Sequence, residues 1–81
     1  MRVRVKLFAI ARELAGADSI ELDLPTNATV ASVRAALAQR LPRMAAGASH
    51  MLIAIDNQYV DDQTPIGPDQ EIACIPPVSG G

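Results

Sequence analysis

At 81 residues and 49% hydrophobic content, the chain has apolar material for one small packed domain and too much for a disordered segment. Its single cysteine excludes an internal disulfide and suits a reducing cytoplasm, and Phe8 and Tyr59, the two aromatics, leave an aliphatic core. A net charge of −2 argues against nucleic acid as the main partner, and no stretch reads as a signal peptide or has the length of a membrane span.

Val3, Val5 and Leu7 alternate with Arg2, Arg4 and Lys6, the period of a strand with one buried face. Residues 8–15 read as a short helical turn, with Gly16 as its left-handed stop. Ile20, Leu22 and Leu24 alternate with Ser19, Glu21 and Asp23, so a second strand runs to Pro25 and lies close enough in sequence to pair with the first. Asn27 and Thr29 offer caps for the main helix. In that helix Val30, Val33, Leu37 and Leu41 share one stripe, and Ser32, Arg34 and Gln39 lie away from it. Pro42 closes it.

Residues 43–51, rich in Ala, Gly and Ser, read as a loop. Residues 52–55 and 58–60 form short strands around the turn residues Asp56 and Asn57. Pro65, Gly67 and Pro68 make the next connection irregular, and residues 71–75 form a last strand ended by Pro76. The expected fold class is α+β, the β-grasp (ubiquitin-like) architecture: a mixed four- to five-stranded sheet with one main helix packed across it. Residues 1–75 form the domain, and residues 76–81 a flexible tail.

Internal catalysis finds little support in the residues. His50 is the one histidine and has no partner at metal-ligand spacing, Gly16, Gly47 and Gly67 are isolated, and Asp61-Asp62 reads as a surface turn. No metal site is expected. Cys74 should face inward with Ile72, where a thiol acts as a small hydrophobe; a sulfur-relay role would require an exposed, acidic thiol. Six of the seven basic residues precede position 42, while Asp56, Asp61, Asp62, Asp69 and Glu71 make the second half acidic, either a solvated face or a docking surface for a basic partner. If the first and last strands are neighbours, Phe8, Tyr59 and Ile75 meet on the open face of the sheet. There they either form a docking patch beside the tail or complete a small core.

The tail itself, Pro76-Pro77-Val78-Ser79-Gly80-Gly81, begins stiff and ends without side chains. Such a segment suits a narrow channel in a partner and would present the Gly81 carboxylate for activation. The competing reading is an ordinary linker-like terminus.

The chain resembles, essentially end to end, the family of small sulfur-carrier subunits of molybdopterin synthase. The resemblance is carried by residues 5–9 leading into residues 11–16, by Thr29-Val30-Ala31 opening the long helix, and by residues 54–60 with Thr64-Pro65-Ile66. Its most specific part is the run from Glu71 through Pro-Pro-Val-Ser-Gly-Gly. Departures are Asp56 where asparagine is common, Pro68-Asp69-Gln70 in place of Asp-Gly-Asp, and Cys74 in place of a bulky apolar residue. The resemblance implies that a ubiquitin-activating-type enzyme uses ATP to adenylate Gly81 and that a persulfide donor converts it to a thiocarboxylate. It implies further that Pro76, Pro77, Val78, Ser79 and Gly80 insert into the large catalytic subunit, where the sulfur reaches cyclic pyranopterin monophosphate. The implied assembly is a heterotetramer of two small and two large subunits, with Phe8, Tyr59 and Ile75 contacting partners and no cofactor held by this chain. It would be non-catalytic alone and cytoplasmic, without nucleic-acid or membrane partners.

Two other functions remain open on sequence: a sulfur carrier for thiamine or cysteine synthesis, which Pro-Pro-Val-Ser disfavours, and a ubiquitin-like protein modifier. Lys6 is the one lysine, so modifiers linked to one another would have a single site.

Overall fold

A computed structural model describes residues 1–77. Strand β1 (Arg2–Leu7) buries Val3, Val5 and Leu7 and leaves Arg2, Arg4 and Lys6 exposed, following the alternation. A short helix α1 (Ala9–Ala15) comes next. Gly16 ends it at φ 71°, its N–H donating to the Arg12 carbonyl at 2.9 Å, a conformation that glycine adopts without a Cβ penalty. Strand β2 (Ser19–Asp23) pairs antiparallel with β1, matching Val3 to Leu22 and Val5 to Ile20. Leu24 lies one residue past β2 and is buried, its N–H donating to the Met1 carbonyl at 2.7 Å.

Helix α2 (Val30–Arg40) starts at Thr29, where Thr29 and Ser32 form a capping box that satisfies two otherwise orphaned amide donors. Val30, Val33 and Leu37 are buried from it, and Leu41 caps its far end half-buried. Pro42 does stop α2, but the segment beyond it is not a loop. Residues Pro42–His50 wind as a 3₁₀ segment, with proline at its start and Met44 and Ala48 buried from it. The small residues there carry too little apolar pattern to announce a helix, and burial of Met44 and Ala48 organises the segment instead.

Strands β3 (Leu52–Ile55) and β4 (Gln58–Tyr59) form a hairpin. Asp56 at φ 50° and Asn57 at φ 70° are both left-handed, the pattern of a type I′ turn whose twist matches the strands. Asp56 also ties this turn to the last strand: its carboxylate accepts from the Glu71 N–H at 3.0 Å, and its own N–H donates to the Glu71 carbonyl at 2.9 Å. Strand β5 (Ile72–Ile75) enters the middle of the sheet, parallel to β1 and antiparallel to β3. The order β2-β1-β5-β3-β4 makes a five-stranded mixed sheet, the upper end of the expected range.

The core lies between one sheet face and α2, centred on Val5, Val30, Val33, Leu37, Met44, Ile53, Ile72 and Cys74. No buried side-chain polar atom among the described residues lacks a hydrogen-bond partner. Among them too, no helix is long and apolar enough to cross a membrane. The opposite sheet face is left open.

Candidate functional site: an open-face groove beside the tail base

Placing β5 between β1 and β3 decides where the chain leaves the domain. Ile75 pairs with Leu52, and the Phe8 N–H donates to the Cys74 carbonyl at 3.3 Å, so the chain departs beside the end of β1. Pro76 is half-buried and Pro77 exposed, outside any regular element. Val78, Ser79, Gly80 and Gly81 lie outside the described residues.

Phe8, Tyr59 and Ile75 come together around one shallow groove of ≈ 280 Å³ on the open face. Its shape follows from residue size. Ala54 pairs with Tyr59 on one side and with Ala73 on the other, so two alanines form a low floor while Phe8, Tyr59 and Ile75 stand at its rim. Phe8 is 41% and Tyr59 68% exposed, so neither ring completes the core. Phe8 faces out because Leu7 before it faces in, and because the chain turns sharply through Ala9 at φ 52° into α1. An aromatic rim over a small-residue floor, open to solvent, is suited to receiving an apolar side chain from another protein.

Three further residues escaped the sequence reading. Leu52 is 39% exposed and directly opposite Ile75, extending the apolar surface at the tail base. Its alternation with Ala54, out of phase with Ile53 and Ile55, was the available signal. Ile10 is 46% exposed on α1, a helix too short for its apolar face to be read. Arg34 lies off the apolar stripe of α2, yet its side chain is only 17% exposed. Its guanidinium donates to the Ala48 carbonyl at 2.8 Å, to the Met51 carbonyl, and to Asp62 at 2.6 Å, pinning the 3₁₀ segment and the 61–62 turn to α2.

Cys74 is fully buried, and desolvation pushes its thiol up to about 11, against a weaker downward pull from the Arg34 charge. Roughly one thiol in ten thousand would be ionised at neutral pH, so the inert, space-filling role fits this cysteine and a relay does not. Asp61 closes its own turn, accepting from the Gln63 N–H at 2.9 Å and the Thr64 hydroxyl at 3.2 Å. Asp62 is taken by Arg34. No cluster of metal-ligating side chains occurs among the described residues.

A mixed five-stranded sheet crossed by one principal helix, with the chain leaving from a central strand, defines the ubiquitin-like β-grasp class. Within that class, the chain belongs to the ThiS family, whose sequence profile matches residues 5–81. It is 32% identical to the molybdopterin synthase sulfur carrier subunit of Arabidopsis thaliana, over 100% of this chain and 84% of that one. It is 36% identical to the subunit of the same name from Dictyostelium discoideum, over 96% of this chain and 94% of that one. Among solved structures, SAMP1 from Haloferax volcanii superposes with a TM-score of 0.87 at 26% identity, covering 100% of both chains.

Proposed function

We propose that this chain is the sulfur carrier of molybdopterin synthase, delivering sulfur from a thiocarboxylate at Gly81. The observation that carries the reading is its end-to-end similarity to relatives bearing that name, in a family match that extends through Gly80 and Gly81. In the reaction sequence, the Gly81 carboxylate attacks the α-phosphate of ATP on a ubiquitin-activating-type enzyme, and pyrophosphate leaves. A persulfide donor attacks the acyl carbon and expels AMP; thiol cleavage of the resulting S–S bond leaves the thiocarboxylate. The tail then enters the large synthase subunit, where sulfur attacks cyclic pyranopterin monophosphate. Two loaded carriers supply the two sulfurs of the dithiolene, matching a heterotetramer of two small and two large subunits.

Sulfur suits this task because it overlaps poorly with the carbonyl and is the better nucleophile, and a closed channel would keep water from the thioacid. Pro76 and Pro77 would stiffen the approach while Gly80 and Gly81 pass a constriction. Acid–base and anion-binding groups would come from the partners, so the chain is non-catalytic alone, binds no cofactor, and works in the cytoplasm. The open-face groove would hold it against each partner in turn.

Incubation with ATP, the host's adenylating enzyme and a sulfur donor, then C-terminal fragmentation in the mass spectrometer, tests the reading. Fragmentation is required because replacing oxygen by sulfur nearly matches in mass the oxidation of a methionine or of Cys74. Sulfur on Gly81, and molybdopterin formed when the large subunit and precursor are added, are the expected results. Gly81 joined to lysines of other proteins, with no sulfur at the terminus, would replace the carrier with a modifier.

A further inference from the structure

The three cations of β1 stand in a row on the open face, and their surroundings differ. Arg2 forms an ion pair with Asp23 at 3.1 Å. Arg4 is directly opposite Glu21 on β2, and one step back in the β1–β5 register Glu71 lies level with it on the other side. Lys6 is opposite Ser19 on β2 and Ala73 on β5, with no carboxylate at its own level. Asp18, the nearest acid beyond Ser19 in sequence, faces Arg12 at 3.8 Å. Among the described residues no ion pair includes Lys6 or Arg4, but Arg4 has a carboxylate level with it on each side and Lys6 has none. Lys6 also borders two depressions, the aromatic-rimmed groove and a larger one of ≈ 490 Å³ along β1 and β2. Of the three cations, Lys6 is therefore the one with no carboxylate directly across from it, at the border of the apolar floor.

We propose that Lys6 is the charged selector of the docking face: the partner surface that seats an apolar side chain over Ala54 and Ala73 also presents a carboxylate to the Lys6 ammonium. This deepens the carrier reading and rests on it, the occupant being the large synthase subunit. The arrangement follows from cost. An ammonium at the rim of a closing interface loses water, and without a carboxylate from the partner that loss would be offset only by the diagonal Glu71, which borders the same groove. A supplied carboxylate turns the same group into a discriminator, because a basic or wholly apolar surface at that position would be rejected. Arg2 is paired with Asp23, and Arg4 stands level with Glu21 on one side and Glu71 on the other, so the demand for a partner carboxylate is weakest there.

The test is calorimetric titration of the large subunit from the same genome with the unloaded chain, at two salt concentrations. Lys6 is exposed, so variants there should keep the wild-type melting curve. Lys6→Gln should weaken binding by about 5–10-fold and Lys6→Glu by about 100-fold at low salt, while Lys6→Arg stays within about 2-fold. The salt dependence should shrink in Lys6→Gln. Because Lys6 is the one lysine, acylation of its amine, read by peptide mapping, should also slow in the complex. Wild-type affinity for Lys6→Glu, or unchanged acylation in a complex that forms, would overturn the selector role and leave the carrier reading standing. Failure of the wild-type chain to bind the large subunit would overturn both.

Discussion

Replacing Arg34 by alanine measures how much of this small domain hangs on one side chain. Arg34 spans three segments from α2: two of its hydrogen bonds hold the carbonyls of Ala48 and Met51 at the end of the 3₁₀ segment, and the third holds Asp62. A hydrogen bond from a charged donor contributes about 1.5–3 kcal/mol, and partial water access to the released carbonyls places each near the low end. Asp62 is 56% exposed, so the ion pair adds at most about 1 kcal/mol. The expected loss is about 2–4 kcal/mol, against a total stability of about 4–12 kcal/mol for a domain of this size. Urea unfolding monitored by far-UV circular dichroism reads it directly: with a slope of about 1 kcal/mol/M, the midpoint should fall by about 2 M or more. Asp62→Ala should cost no more than about 1 kcal/mol, and Arg34→Lys, which keeps the charge but loses the fork, should fall between. An Arg34→Ala midpoint within about 0.5 M of wild type (about 0.5 kcal/mol) would refute the pinning role. An Asp62→Ala loss as large as that of Arg34→Ala would show that the ion pair, not the two carbonyls, carries it.

Deleting Gly81 should abolish sulfur loading while leaving the melting curve within about 1 °C of wild type, since β5 ends at Ile75; normal molybdopterin synthesis by the deletion would sink the carrier model. Gly80→Val should fail to enter the partner channel, scored as loss of sulfur at the terminus or of product formed with the large subunit. Cys74→Ala should cost about 1 kcal/mol and keep full loading, and loss of loading in the folded variant would restore the relay. The Cys74 thiol is raised from 9.0 to about 11 on folding, so the folded state holds its proton when the unfolded chain releases it. Stability should therefore be flat to about pH 9 and fall toward pH 11, with that slope reduced in Cys74→Ala. Val33→Asp puts a carboxylate at a position with 0% exposure under α2 and should leave no cooperative unfolding transition at 25 °C.

Local rules carried much of the fold. Alternation specified which face of β1 is buried, Gly16 the end of α1, the Thr29 cap and the Val30, Val33, Leu37 stripe the span of α2, and Asp56-Asn57 the hairpin. Each depends on residues within a turn or two of one another, so nearby side chains suffice to express it. The 3₁₀ segment escaped because alanine, glycine and serine have no periodic contrast, and its order depends on Met44, Ala48 and a guanidinium from another element. Ile10 gives no signal for a related reason, lying in an element too short for a pattern, and Leu52 gives only a single alternation with Ala54 in a four-residue strand.

The chain's amino-acid order was by itself enough to determine the α+β class, its one amphipathic helix, and the Pro-Pro-Val-Ser-Gly-Gly run that carries the proposed function. Tertiary structure alone decided that β5 enters between β1 and β3, which brings Phe8, Tyr59 and Ile75 to one alanine-floored groove beside Pro76 and sets Lys6 opposite Ser19 and Ala73 rather than a carboxylate. Strand order and register join residues up to about 70 positions apart, and such pairings are selected by the closing of one shared core, a condition no local window contains.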